Sequence, residues 1–151
     1  MSIKLSGPWS QQEIGSFLNS ATLPIRLSTV AGDGFPRVIS LWFLYRADKL
    51  YCVTHQSSKL VGLLRKNPRV GFEVAPDAPP YYGVRGQGTA ELQPLGEDPA
   101  LKQLVERYVG DTESSFARWL LSRSAEELII TIVPHRLYSW DYRERMAGAK
   151  R

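Results

Sequence analysis

The chain has 151 residues, 43% hydrophobic and 23% charged, the ordinary balance of a soluble globular domain long enough to bury a core. No apolar run reaches the roughly 17 residues a transmembrane helix needs, and the first stretch, MSIKLSGPWSQQ, holds no run of signal-peptide length. The net charge of +4, from 19 Lys+Arg against 15 Asp+Glu, is mild and mostly dispersed, so neither a nucleic-acid surface nor a membrane is expected as a partner.

The densest basic cluster is Arg143, Arg145, Lys150 and Arg151 at the end. A mild excess of this kind keeps a protein soluble and also suits an anionic small ligand; charge alone does not choose between the two. Cys52 is the only cysteine, so no intrachain disulfide can form, and a single thiol fits a reducing cytoplasm.

Taken in order, Ser10 and Glu13 have the spacing of a capping box, and Ile14, Phe17 and Leu18 share a helical face that should end near Asn19-Ser20. Leu23 to Val30 and Arg37 to Tyr45 read as strands of an antiparallel hairpin, joined by a turn containing Gly32 and Gly34. Arg46 to Lys49 is polar and turns the chain into a third strand, Leu50 to Thr54. Leu60, Val61, Leu63 and Leu64 mark a helix that Asn67-Pro68 stops.

Arg69 to Val74 is a fourth strand, followed by a proline-rich loop over Ala75 to Pro80. Tyr81 to Leu92 is a fifth, and its Gly83, Gly86 and Gly88 point to bulges or a close backbone approach. Leu101, Leu104, Val105 and Tyr108 predict a helix, and Ser114 to Ser122 a second. Leu128 to Val133 is a strand that Pro134 ends or bends, with pairing resuming over Arg136 to Asp141. The pattern predicts one domain over 1–151, with a helical N-terminal region over 1–22 and a flexible tail over 145–151. It is mainly β (α+β): six to seven antiparallel strands, closed into a small barrel with peripheral helices so that the edges are hidden.

One junction carries chemistry. The strand ending at Thr54 runs through His55-Gln56-Ser57-Ser58 into a helix that begins near Lys59. A helix start has unpaired N–H groups and the positive end of the dipole, so Ser57, Ser58 and Lys59 beside it would suit a phosphate. The plainer alternative is that Ser58 is only a cap and Lys59 only a solvated charge.

With these pieces in this order, the chain resembles the pyridoxamine 5′-phosphate oxidase-like group, the flavin-binding split-barrel proteins. The resemblance runs from about Leu23 to Tyr142. It rests on L-S-T-V-A-G-D-G-F-P-R-V-I-S-L-W-F at Leu27–Phe43, L-Y-C-V-T at Leu50–Thr54 and S-S-K-L-V-G-L-L-R-K-N-P-R-V at Ser57–Val70. The strand at Gly88–Glu91 and the closing segment Pro134–Asp141, ending S-W-D, complete it. It implies a split β-barrel, a homodimer, and an oxidoreductase whose FMN lies at the dimer interface.

Carried over by position, Arg37, Val38, Ile39 and Ser40 would line the flavin, partly through backbone groups. Val53 and Thr54 would lie against it, and Ser58 and Lys59 would bind its phosphate, with Arg37 as a second phosphate or ring contact. Tyr82, Gln87 and Trp140 are the candidates for contacts from the second chain. The vitamin-specific oxidase carries a basic R-x-H-like C-terminal segment for its substrate phosphate; this chain ends R-E-R-M-A-G-A-K-R, which does not align with it. Related subgroups bind a deazaflavin coenzyme or haem. The alternatives are therefore a deazaflavin-dependent reductase, with Arg26, Arg37, Lys59 and Arg65 forming a wider basic groove, or a non-enzymatic flavin or haem binder.

No residue is singled out as a catalytic acid or base. His55 is either a proton donor or a solvent-facing loop residue, the latter being the expectation, and His135 is expected to be structural. Two histidines and one cysteine make a metal cluster improbable, and Cys52 reads as a small buried hydrophobe. Trp42, Phe43, Tyr45 and Tyr51 could stack on a flavin, although core or interface packing is the expectation for Phe43 and Tyr51. A small-molecule substrate or electron donor is implied but not named.

Overall fold

Apolar and polar residues alternate along the strands, and that period decides which side of the sheet turns inward. The computed structural model describes residues 2–149. Its elements are β1 (Lys4–Ser6), α1 (Gln11–Ser20), β2 (Ile25–Val30), β3 (Pro36–Leu41), β4 (Leu44–Arg46), β5 (Lys49–His55), α2 (Lys59–Lys66), β6 (Arg69–Val74), β7 (Tyr82–Pro94), α3 (Ala100–Tyr108), α4 (Ser115–Ser122), β8 (Glu127–Asp141) and α5 (Arg143–Ala149). A single 3₁₀ turn, Ser124–Glu126, precedes β8.

The eight strands form one sheet in the order β3-β2-β6-β7-β8-β5-β4, with β1 added in parallel to β8. β3 and β4 stand at opposite ends of that order, yet only Trp42-Phe43 separates them in the chain. Three Cα–Cα steps reach no further than about 11 Å, so the sheet must curl until its two ends meet. The result is an antiparallel split barrel. Inside it Ile25 and Leu27 of β2, Phe72 and Val74 of β6, Val84 of β7, and Ile130, Ile132 and Leu137 of β8 pack with Ile14 and Leu18 of α1. A second cluster, Leu95, Ala100, Leu101, Val105, Ala117 and Ile129, lies beneath α3 and α4.

The single strand expected over Arg37 to Tyr45 is two. At Trp42-Phe43 the chain leaves β2 and takes up β5 instead. Phe43 is fully buried, and its N–H donates to Tyr108 Oη at 3.2 Å rather than to a strand. β1 carries no readable alternation and was not expected. Pro134 does not end β8: it pairs opposite Gly88, and His135 is the extra residue of a bulge, since Gln87 pairs with Arg136. A Cβ on Gly88 would lie 2.3 Å from the Val133 carbonyl oxygen, which is why that position carries none.

Over the described part of the tail expected from Arg145 the chain is helical, as α5 (Arg143–Ala149); Lys150 and Arg151 lie outside the described residues. Asp141 Oδ1 accepts from the Arg143 N–H at 3.1 Å at the start of this helix. Met146 Sδ accepts from the Tyr81 N–H at 3.2 Å and ties the helix to β7. Among the described residues no helix is long and apolar enough to cross a membrane.

Candidate functional site

The split has an apex and two arms. β3 pairs with β2 from Pro36 to Leu41, and among the described residues its other edge has no partner strand. β5 pairs with β8 from Leu50 to His55, but with β4 only as far as Tyr51. From Cys52 onward the second edge of β5 is open as well. Two rows of backbone N–H and C=O groups thus diverge from Trp42-Phe43. Tyr108 holds the apex: its hydroxyl donates to the Leu23 carbonyl at 2.8 Å while accepting from Phe43, and its ring stacks on Trp42 at 5.2 Å and 3°.

The β5 arm ends at α2. Ser58 has the extended backbone of a cap residue (φ −66°, ψ 148°), but its side chain makes no cap hydrogen bond. Its Oγ instead accepts from Thr54 Oγ1–H at 3.0 Å. Either hydroxyl can supply the proton of that bond; with Thr54 as the donor, the Ser58 hydroxyl proton is free to donate outward. Lys59, exposed, follows directly. The arrangement offers first-turn N–H groups, one hydroxyl donor and one ammonium to an anion.

His55 is not the solvent-facing loop residue expected. It is the last residue of β5, with both ring nitrogens engaged. Ser57 N–H donates to Nδ1 at 3.1 Å, so that nitrogen carries no proton; Ser57 O–H donates to it at 2.7 Å. Nε2–H therefore donates to Glu126 Oε2 at 3.0 Å. Sequence reasoning missed Glu126 and Tyr108, which reach the site from segments far along the chain, with no local pattern to announce them.

Arg37, Val38, Ile39 and Ser40 lie on β3 at the open edge. The Arg37 guanidinium is braced within its own turn, 2.9 Å from Asp33 Oδ2, and it holds the Asp33 carboxyl below the usual carboxylate range. Val38 is 69% exposed, whereas Ile39 packs against the barrel core. Thr54 lies beside Ser58, while the Val53 side chain packs in the cluster under α3 and α4.

Gln87 and Trp140 stand elsewhere, on the outer face of β7 and β8. There Arg85 lies over the rings of Tyr138 (4.4 Å) and Trp140 (5.3 Å). Tyr82 is an odd number of residues from Gln87 on β7 and so faces the other way. It lines a cleft of about 670 Å³ with Trp9, Phe17, Leu23 and Arg143. The chain thus gathers Arg37 to Ser40, Val53, Thr54, Ser58 and Lys59 around the split, and does not bring Tyr82, Gln87 or Trp140 to it.

Phe43 and Tyr45 are buried, and Tyr51 lies under the Arg46 guanidinium at 4.2 Å, all packing roles. Cys52 is fully buried, and burial pushes its thiol up to about 12. His135, at the bulge, shares a hydrogen bond with Thr89 Oγ1 at 3.0 Å. Among the described residues no group of three or more His, Cys, Asp and Glu side chains is placed to hold a metal.

An open-seamed antiparallel barrel whose strand–turn–helix junction faces the seam is the fold of flavin-binding split-barrel proteins. The family model described as pyridoxamine 5′-phosphate oxidase matches residues 10–141, and the chain belongs to that family. Among solved structures, a conserved hypothetical protein from Mycobacterium tuberculosis is 25% identical with a TM-score of 0.78, covering 97% of this chain and 93% of that one. An F420 reductase is 24% identical with a TM-score of 0.67, over 80% of this chain and 92% of its own. A FAD-binding protein from Mesorhizobium loti is 24% identical with a TM-score of 0.65, over 87% and 93%. No curated protein matches the chain by sequence.

Proposed function

We propose that this chain is an FMN-binding oxidoreductase, homodimeric and cytoplasmic, that holds its flavin along the split with the phosphate on the start of α2. The observation that carries this is the Ser58 hydroxyl, which caps no backbone N–H of α2 and stands beside Lys59 at the end of two open strand edges. The residues suit the group: the β3 edge at Arg37 to Ser40 and the β5 edge at Val53 and Thr54 offer backbone donors and acceptors to a ring, and Ser58 and Lys59 offer donors to a phosphate. Bound there, a flavin would supply electron transfer; the chain supplies binding, orientation and charge near the ring. The catalytic residues and the substrate stay unassigned.

The second copy has its own support. Val30, Phe35 and Val38 are 43%, 69% and 69% exposed on and beside the outer face. Two such faces packed on each other would bury them. They would also give Gln87 and Trp140 of one copy a route to the split of the other. The deazaflavin alternative has less behind it. Arg26 donates to Ser40, Arg37 is tied to Asp33, and Arg65 lies in the last turn of α2, so each already has a local role apart from Lys59.

The test is the visible spectrum of the purified protein, followed by denaturation and identification of the released chromophore. About one equivalent of FMN per chain supports the proposal. Release of a deazaflavin or haem replaces the cofactor, and a colourless protein unchanged by added FMN removes it. Lys59→Ala should weaken FMN binding by about tenfold or more, the size of a lost charge-assisted hydrogen bond; undiminished affinity would mean the phosphate lies elsewhere.

A further inference from the structure

We propose that His55, held by Glu126, is a positioning residue that sets how many donors the start of α2 presents to a phosphate, so that cofactor binding is coupled to proton uptake. The inference rests on the flavin-phosphate proposal above. Ser57 stands immediately before the cap residue Ser58 and is exposed. Its O–H and its backbone N–H both donate to His55 Nδ1, at 2.7 and 3.1 Å. Both donors are turned into the ring, and neither is available to an anion. The bond from Nε2–H to Glu126, 3.0 Å, fixes the ring in that orientation.

Imidazole is the side chain whose charge changes near neutral pH. A proton on Nδ1 converts that nitrogen from acceptor to donor. Ser57 N–H then loses its acceptor. Ser57 Oγ receives the new Nδ1–H, and its own proton turns outward. Two donors are released at the head of α2, and the His55–Glu126 pair passes from one net negative charge to none.

The other charged groups around the ring are few. Glu127 pairs opposite His55 across β5 and β8, and its own ion pair is with Arg123 at 4.0 Å. Burial raises the Glu127 carboxyl, with Arg123 and His55 drawing it back down. Lys59 heads α2. None of these takes a proton from Nδ1 or replaces Ser57 on it. A phosphate that uses the released donors binds the protonated ring better, and by reciprocity its binding favours the proton.

The experiment is an FMN titration of the flavin-stripped full chain at about pH 6 and about pH 8, on either side of imidazole titration. It compares wild type with His55→Gln, Glu126→Gln and His135→Gln. The phosphate monoester itself loses charge near pH 6, so the quantity read is the ratio of Kd at the two pH values, compared between proteins. The expected result is a gain in affinity on acidification about fivefold larger in wild type and His135→Gln than in His55→Gln, with Glu126→Gln between. Riboflavin, which has no phosphate, should show the same ratio in all four. Equal FMN ratios in wild type and His55→Gln overturn the role of His55 and leave the flavin proposal standing. A difference that persists with riboflavin also overturns it, because the effect would then not act on the phosphate. Failure of FMN to bind at either pH overturns the flavin proposal and this one with it.

Discussion

α1 and α2 both begin behind a serine, and the two starts are built differently. Before α1, Ser10 Oγ accepts from the Glu13 N–H at 3.1 Å, and Glu13 Oε1 accepts from the Ser10 N–H at 3.1 Å, a closed capping box. Ser114 caps α4 with the first of these bonds, accepting from the Ala117 N–H at 3.1 Å. Before α2, the Ser58 hydroxyl caps nothing and is held by Thr54. A closed start serves the fold alone. An open one leaves polar groups for something that is not part of the chain.

The contrast is sharpest at α1, which is closed at both ends. Arg107 of α3 donates to the Leu18 carbonyl at 2.7 Å and the Asn19 carbonyl at 3.0 Å, and also to that of Ala21. Arg107→Ala should cost about 2–3 kcal/mol in urea denaturation, because several partly buried carbonyls lose a charged donor together. A loss under about 0.5 kcal/mol would show that water replaces the guanidinium without penalty.

The serines separate the two kinds of start more cleanly. Ser10→Ala should lose about 1 kcal/mol of stability and leave flavin affinity where it was. Ser58→Ala should change stability by less than about 0.5 kcal/mol, since no cap is lost, and weaken FMN by about fivefold. Equal destabilisation by both would erase the distinction between them.

The smallest effect belongs to α5, whose start is closed by Asp141. The Arg143 guanidinium beside it, with help from the Arg143 and Trp9 N–H groups, holds the Asp141 carboxyl down to about 2. A folded value below the unfolded one means that the stabilisation is complete above about pH 4 and disappears as pH falls toward 2. Asp141→Asn should lower stability slightly near neutrality, where that stabilisation is present, and lose the difference as pH falls toward 2, so that the profile flattens across that window.

Much of this was readable in the chain. Ser10 and Glu13, the helical spacing of Leu60 to Leu64, and the alternation of Arg69 to Val74 are local patterns, and local patterns survive folding. The division of the strand at Trp42-Phe43 was not legible, because β-prone residues lie on both sides of it and the cause, Tyr108, is 65 positions away. β1 is too short to show a period, and α5 is held by contacts to Asp141 and Tyr81 rather than by its own composition. Ser58 and Lys59 could be picked out as a candidate phosphate site from the helix start. The Glu126 partner of His55, 71 positions distant, could not.

The open edge of β3 has a further consequence. A strand with a free row of N–H and C=O groups and a side chain as exposed as Val38 is a template for another strand, and Pro36 and Arg37 blunt only its beginning. Whatever fills the split and covers the outer face therefore also guards the chain against edge-to-edge aggregation. With the proposed cofactor in the split and the proposed second copy on the outer face, solubility in a cell would track the supply of both.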